Sequence, residues 1–287
     1  MVTNTSEARA EDLGRLTGAL ARSDDGIWRS IDDAAETLSF PEDGHDACFR
    51  LEDESFWFAH RNACIAGALL RQGVDGPLLD VGGGNGAVSH ALEQHGIRTV
   101  LLEPGPDGAR NARRRGLRNV VCATLQKAAF EAGSFGAVGA FDVIEHIEDD
   151  DALVREVHRV LRPRGVFCVT VPAYRWLWSA EDEVAGHHRR YTLPRLHAVL
   201  SRCDFDVCYE TYFFAPLVVP VFLFRSLPHR LHKRATTAVD EGAAKQHLPS
   251  PMARRVMDAL LAPELDRIKA GRSVPFGTSC LVVATKR

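Results

Sequence analysis

The stretch Leu78 to Gly86, LLDVGGGNG, constrains this chain more than any other. A short run suited to a buried strand passes straight into a glycine turn, and a helical pattern begins near Gly86. Glycines in such a turn take positive φ and let the backbone close on a ligand, while the amides of the following helix face it. The arrangement belongs to open α/β sheets, which bind ligands at the carboxyl ends of their strands. Alone it leaves the ligand open. A bare structural turn is one reading, and Gly82, Gly84 and Ala87 also satisfy the dinucleotide pattern GxGxxG/A, with Glu103 about 20 residues further on. Asp80 tips the choice, because a carboxylate ending an apolar strand suits a cationic amine and repels a pyrophosphate. Glu103 ends the next strand candidate, before the turn residues Pro104 and Gly105, where it can accept hydrogen bonds from two ribose hydroxyls.

The flanking text repeats the strand-and-helix alternation. Strands are expected at Leu78 to Val81, Thr99 to Leu102, Asn119 to Cys122, Gly136 to Val143 and Val166 to Val171, with helices near 86 to 95, 106 to 115 and 150 to 161. Near-continuous apolar strands between helices predict a parallel sheet covered on both faces. Two later strands, Phe205 to Thr211 and Cys280 to Thr285, are separated by a proline-containing, basic insertion, so the last residues close the same sheet. Residues 1 to 55 read as a helical cap, with Leu13, Leu16 and Leu20 on one face and Ile27, Ile31, Ala35 and Leu38 on another. Residues 56 to 287 form the main domain, to which 174 to 270 contribute a lid.

Composition excludes several classes. A net charge of −3 from 35 basic and 38 acidic residues argues against a nucleic-acid surface. Seven cysteines without a CxxC pair or zinc spacing point to reduced thiols, and the N-terminus lacks a secretory pattern, so a cytoplasmic location is expected. The apolar run Tyr212 to Phe224 is too short to span a bilayer and contains Pro216 and Pro220. It precedes the basic stretch Arg225 to Arg234; the preferred reading is that it packs on the sheet and lines the lid, and the alternative is an anionic membrane surface.

With its acid, glycine loop and second acid, the sequence resembles the class I S-adenosylmethionine-dependent methyltransferases. The resemblance continues through FDVIEHIEDD (Phe141 to Asp150) and RVLRPRGVFCVTVP (Arg159 to Pro172), which look like that family's fourth and fifth strand motifs. It implies a Rossmann-like α/β fold with a seven-stranded sheet in the order 3-2-1-4-5-7-6, strand seven antiparallel. DESFWFAHRN (Asp53 to Asn62), VPAYRWLWSAEDEVAGHHRRYT (Val171 to Thr192) and PFGTSCLVVATK (Pro275 to Lys286) are similar to a bacterial small-molecule subgroup. The resemblance implies S-adenosylmethionine as cofactor, S-adenosylhomocysteine as product, no metal, and an oxygen or nitrogen of a small, specialised metabolite as acceptor. Its implied cofactor contacts are Arg61, Asp80, Gly82, Gly83, Gly84, Asn85, Glu103, Pro104, Phe141 and Asp142. Where the family often has an acid after strand three, this chain has Leu125 to pack on adenine and Gln126 or Thr124 to bond its edge. A lipid-linked or sugar acceptor and a nicotinamide-dependent oxidoreductase are the alternatives.

Methyl transfer depends chiefly on alignment, and a general base is optional. His146, after the fourth strand, is either that base or a packing residue, and His187 is a second candidate. Glu145 and His146 have a metal-binding reading, but the acid-rich helix start explains the carboxylates more simply. Trp57, Tyr174, Trp178, His188 and Tyr191 are candidate substrate contacts. Arg189 and Arg190 either bind an anionic group or pair with Glu181, Asp182 and Glu183. The arginines at 110, 113, 114, 115 and 118 have the spacing of a solvated face.

Overall fold

The computed structural model describes residues 13–31, 49, 51–232 and 251–287. Nine strands form one sheet: β1 (Leu20–Arg22), β2 (Trp28–Ser30), β3 (Leu78–Val81), β4 (Thr99–Leu102), β5 (Val120–Cys122), β6 (Phe135–Phe141), β7 (Leu161–Pro172), β8 (Phe205–Phe213) and β9 (Ser279–Lys286). Their spatial order is β1-β2-β5-β4-β3-β6-β7-β9-β8. The seven strands from β3 onward take the expected order, with β9 antiparallel to both β7 and β8. Each residue of β3 and β4 is buried, as central parallel strands covered on both faces require.

Strand periodicity sorts side chains between two layers. Leu79 and Val81 of β3, Phe167 and Val169 of β7, and Val282 of β9 enter one core with Val154 and Val157 of the helix Asp150–Val160 and Leu196 and Leu200 of Leu193–Arg202. Their strand neighbours Leu78, Cys168 and Val283 enter the other core with Ile65 of the helix Phe56–Leu70 and Leu261 of the helix Pro251–Lys269. Asp149 caps the helix Asp150–Val160 by accepting from the Ala152 amide at 2.8 Å, as its acidic opening predicts.

The N-terminal reading is corrected. Residues 20–30 form an antiparallel hairpin, and β2 adds parallel to β5, extending the sheet. The turn Asp25-Gly26 decides this: Gly26 has φ +79°, and Asp25 accepts from the Ile27 amide at 3.1 Å. Among the described residues of that segment, Leu13–Leu16 and residues 49 and 51–54 are helical, while Ala35 and Leu38 lie outside the described residues.

The segment after β8 also differs from expectation. Phe213 and Phe214 are buried, but residues 215–232 are helical throughout and leave Val219, Leu223 and Phe224 exposed, Phe224 at 79%. Pro216 and Pro220 do not break it. Pro216 occupies the opening turn, where a missing N–H costs little, and the stretch loosens into a π turn at Phe222–Ser226. Among the described residues no helix is long and apolar enough to cross a membrane.

Ile27 is 1% exposed and Ile31 64%, although helical spacing would place them on one face. Ile27→Ala is expected to cost roughly 2–5 kcal/mol in urea unfolding and Ile31→Ala less than about 0.5 kcal/mol. Equal losses at the two positions would contradict the hairpin.

Candidate active site

The carboxyl ends of β3, β4, β6 and β7 form a common rim, and the glycine turn sits at its centre. Gly82 and Gly83 donate to the Leu102 carbonyl at 2.8 and 3.1 Å, tying the turn to β4. A Cβ on Gly83 would lie 2.8 Å from Leu101 and 2.9 Å from Asp80 Oδ2, and one on Gly82 would lie 2.9 Å from Val143. These glycines therefore allow the Asp80 carboxylate and the loop after β6 to close on the turn. Gly84 has φ +53° and faces open space.

Asp80 is buried and accepts from Ser89 Oγ at 2.6 Å. Glu103, also buried, accepts from the Gly84 amide at 2.8 Å and the Gly105 amide at 2.6 Å. Burial raises Asp80 from 3.8 to about 6, against the lowering effect of Ser89, and raises Glu103 from 4.5 to about 7, against its two amide bonds. Each carboxylate retains lone pairs for further donors, so the rim favours a ligand that is cationic and rich in hydroxyls.

Arg61 reaches the rim from the helix Phe56–Leu70. Its Nη1 donates to Asp142 Oδ2 at 2.6 Å, its guanidinium lies 5.0 Å from the Trp57 ring and 5.1 Å from the Phe58 ring, and its buried Nε has no partner. Asp142 has φ +59°, a strained conformation for a non-glycine residue, and is held by its amide bond to the Thr170 carbonyl and by Thr170 Oγ1. Glu145 follows, fully buried, with neither carboxylate oxygen bonded. Burial and the nearby Asp142 charge hold its carboxyl well above the usual range.

His146 and His187 meet edge to face with ring centroids 4.7 Å apart. Burial, reinforced by the neighbouring His187, depresses His146 to about 4, so its imidazole is neutral at ordinary pH and ill-matched to general-base work there. Of the two readings of His146, base or packing residue, its edge-to-face contact with His187 agrees with packing. His187 Nδ1 lies 2.8 Å from Asp182 Oδ1. Burial raises Asp182, but hydrogen bonds from His187 and from Arg190 outweigh it and hold the carboxyl at about 2. Arg190 is thus committed to Asp182, at 2.7 and 2.9 Å, and Arg189 to Asp150.

Several expected contacts turn inward. Tyr191 is fully buried and donates to Asp150 Oδ2 at 2.7 Å, which makes it a core residue and not a substrate contact. Asn85 is buried, accepting from Asn111 and donating to Glu52, so its side chain braces the turn. Leu125 and Phe141 pack in the two main cores, and Gln126 is exposed. Thr124 caps the short helix after β5. Pro104 stands beside Glu103, and its carbonyl accepts from Cys122 Sγ. Trp57 stacks on Phe214 and Tyr174 on Tyr212. Trp178 and His188 line a cavity of about 940 Å³ with Arg175, Arg189, Arg195 and Arg230.

Arg115 is a residue that sequence spacing misplaces on the surface. Its side chain is 6% exposed, donates to the Asn85 carbonyl at 2.9 Å and to Glu52 at 2.7 Å, and pairs with Asp53. It fixes the back of the glycine turn. Nothing local distinguishes it from Arg110 or Arg114, since its partners come from a distant segment.

Residues 79–169 match the family described as a methyltransferase domain. A ubiquinone biosynthesis O-methyltransferase of Xanthomonas oryzae is 32% identical over 94 residues, 31% of this chain and 39% of that protein. One from Methylocella silvestris is 31% identical over 152 residues, covering 47% and 59%. The chain thus spans about two fifths to three fifths of these curated relatives. Among solved structures, Haemonchus contortus phosphoethanolamine N-methyltransferase 2 with S-adenosyl-L-methionine shares the fold at a TM-score of 0.52 and 18% identity, covering 90% of this chain and 62% of that one.

Raised carboxyl pKa values carry a definite sign. Between about pH 4 and pH 7 the folded, ligand-free protein holds protons on Asp80 and Glu103 that the unfolded chain has released, so stability falls as pH rises through that window. The double variant Asp80→Asn/Glu103→Gln is expected to remove this slope, worth a few kcal/mol. Urea unfolding across pH, with wild type and variant running in parallel, would contradict it.

Proposed function

The chain has the class I S-adenosylmethionine-dependent methyltransferase fold, and on that premise we propose that it transfers a methyl group from S-adenosylmethionine to an oxygen or nitrogen of a small molecule bearing an anionic group. One observation carries the cofactor reading: two buried carboxylates, Asp80 and Glu103, end adjacent strands against the glycine turn. In this reading Glu103 would accept from the ribose hydroxyls, and Asp80 would offer negative charge to the cofactor's cationic end. A dinucleotide pyrophosphate would meet that charge as repulsion, which disfavours the nicotinamide alternative. The unbonded Nε of Arg61 supports a role in binding the cofactor's carboxylate.

When bound, the cofactor supplies a methyl group on a sulfonium, open to in-line attack. The protein's task is to fix the acceptor opposite that methyl and exclude water, for which orientation supplies roughly 7–11 kcal/mol. The arginine-lined cavity supports an anionic acceptor. Its residues lie within 174–270, the proposed lid, and Arg175 and Arg195 form no ion pair with a carboxylate among the described residues. A specialised metabolite is one acceptor of this kind. A second reading, a lipid-linked acceptor, is favoured by exposed Leu223 and Phe224 on the same helical stretch as the cavity residues His229 and Arg230.

Calorimetric titration tests the cofactor reading. Asp80→Ala and Glu103→Ala are each expected to weaken S-adenosylhomocysteine binding by about 10-fold or more while the fold persists. Unchanged affinity in both variants, or tighter binding of NADH than of S-adenosylhomocysteine, would overturn it. Salt-sensitive sedimentation with anionic liposomes would select the lipid-linked acceptor, and its absence the soluble one.

A further inference from the structure

Glu145, His146 and His187 bring one ligand atom each to within 4.8 Å of one another. Glu145 is fully buried, and neither of its oxygens has a hydrogen-bond partner. Nδ1 of His146 is likewise buried and unbonded. His187 Nδ1 bonds Asp182, which fixes the tautomer that leaves a lone pair on Nε2. Three groups able to donate lone pairs therefore converge. Arg61 bonds Asp142 through Nη1 and makes no hydrogen bond to either Glu145 oxygen. Burying a carboxyl group without any partner is costly, and a cation bound among these atoms would remove that cost.

A second cluster in the molecule shows what a purely structural arrangement of similar residue types looks like. His60, Cys64 and Glu264 also lie close together, but Glu264 accepts from the Phe214 amide at 2.6 Å and the Ala215 amide at 2.8 Å, and His60 Nε2 lies 2.8 Å from it. That carboxylate is saturated and pins the chain after β8 to the helix Pro251–Lys269. Glu145 has no such bonds.

We propose that Glu145, His146 and His187 bind a single divalent first-row transition-metal ion. One carboxylate and two neutral imidazoles form a mixed oxygen and nitrogen donor set, suited to zinc, manganese, iron(II) or cobalt and poorly suited to magnesium or calcium. Three protein donors leave coordination positions for another ligand. Asp182 is the outer partner that orients His187, and it is itself fixed by Arg190 and by the Ser179 amide at 2.9 Å. His188, next in the chain, lines the arginine cavity, and its amide donates to the Glu145 carbonyl at 2.8 Å. The ion therefore borders the space assigned to the acceptor. Resting on the methyltransferase reading, its role there is to bind the acceptor oxygen and lower that hydroxyl's pKa, so that the proton passes to solvent as the oxygen attacks the methyl.

The test is titration of the chelator-treated full chain with Co²⁺, read by visible d–d absorption, alongside calorimetry with S-adenosylhomocysteine. The expected result is saturation at one ion per chain and displacement by Zn²⁺. Asp182→Asn should weaken Co²⁺ binding by about 10- to 100-fold, and Glu145→Gln and His187→Asn by more, with thermal unfolding showing each variant folded. Absence of the absorption band, or Co²⁺ affinity unchanged in the folded Glu145→Gln and His187→Asn variants, would overturn the metal site. S-adenosylhomocysteine binding that persists in those variants separates that failure from failure of the cofactor reading.

Discussion

The structure turns on two carboxylates held out of water at the ends of adjacent parallel strands. Asp80 and Glu103 are buried because β3 and β4 occupy the middle of the sheet, and they are tolerated because Ser89 and the amides of Gly84 and Gly105 give them hydrogen bonds. Even so, burial raises both pKa values, to about 6 and about 7, so the ligand-free molecule keeps an unmet electrostatic demand at this spot. The surrounding parts hold that arrangement in place. Glycines at 82 and 83 let the turn close over Asp80, and Arg115 ties the back of the turn to Glu52 and Asp53.

A second polar region lies along the same rim. The left-handed backbone at Asp142, its bonds to Arg61 and Thr170, and the unbonded carboxyl of Glu145 concentrate strain and unpaired polarity after β6. Such features cost stability and persist where a site uses them. Asp182 has the opposite character: it is saturated by His187, Arg190 and Ser179, and it gives His187 a fixed orientation. One part of the rim is therefore satisfied, and the part it faces is not.

Much of this is legible in the sequence, for local reasons. β3 and β4 fall at Leu78–Val81 and Thr99–Leu102 as read, since each is a short apolar run that ends at a glycine turn or at an acid and proline. The strand order follows from the family resemblance, and the observed pairing agrees with it. The hairpin at residues 20–30 escapes the periodicity reading because leucine and isoleucine spacing mimics a helix, although Asp25-Gly26 carries a hairpin signal. Tyr191, Asn85 and Arg115 are misplaced for another reason. Their roles depend on Asp150, Asn111 and Glu52, partners brought together only by the tertiary fold. The same holds for Glu145, whose acid-rich surroundings suggest a helix start until burial sets it apart from Asp149.

A cationic, hydroxyl-rich cofactor would meet the demand of Asp80 and Glu103 by making both ionise. Calorimetry of S-adenosylmethionine binding at about pH 6.5, repeated in buffers of different ionisation enthalpy, measures the protons exchanged on binding. With pKa values of about 6 and about 7 before binding, release of about one proton per chain is expected, and its loss in the Asp80→Asn/Glu103→Gln variant. Binding with no proton released, or with protons taken up, would contradict it.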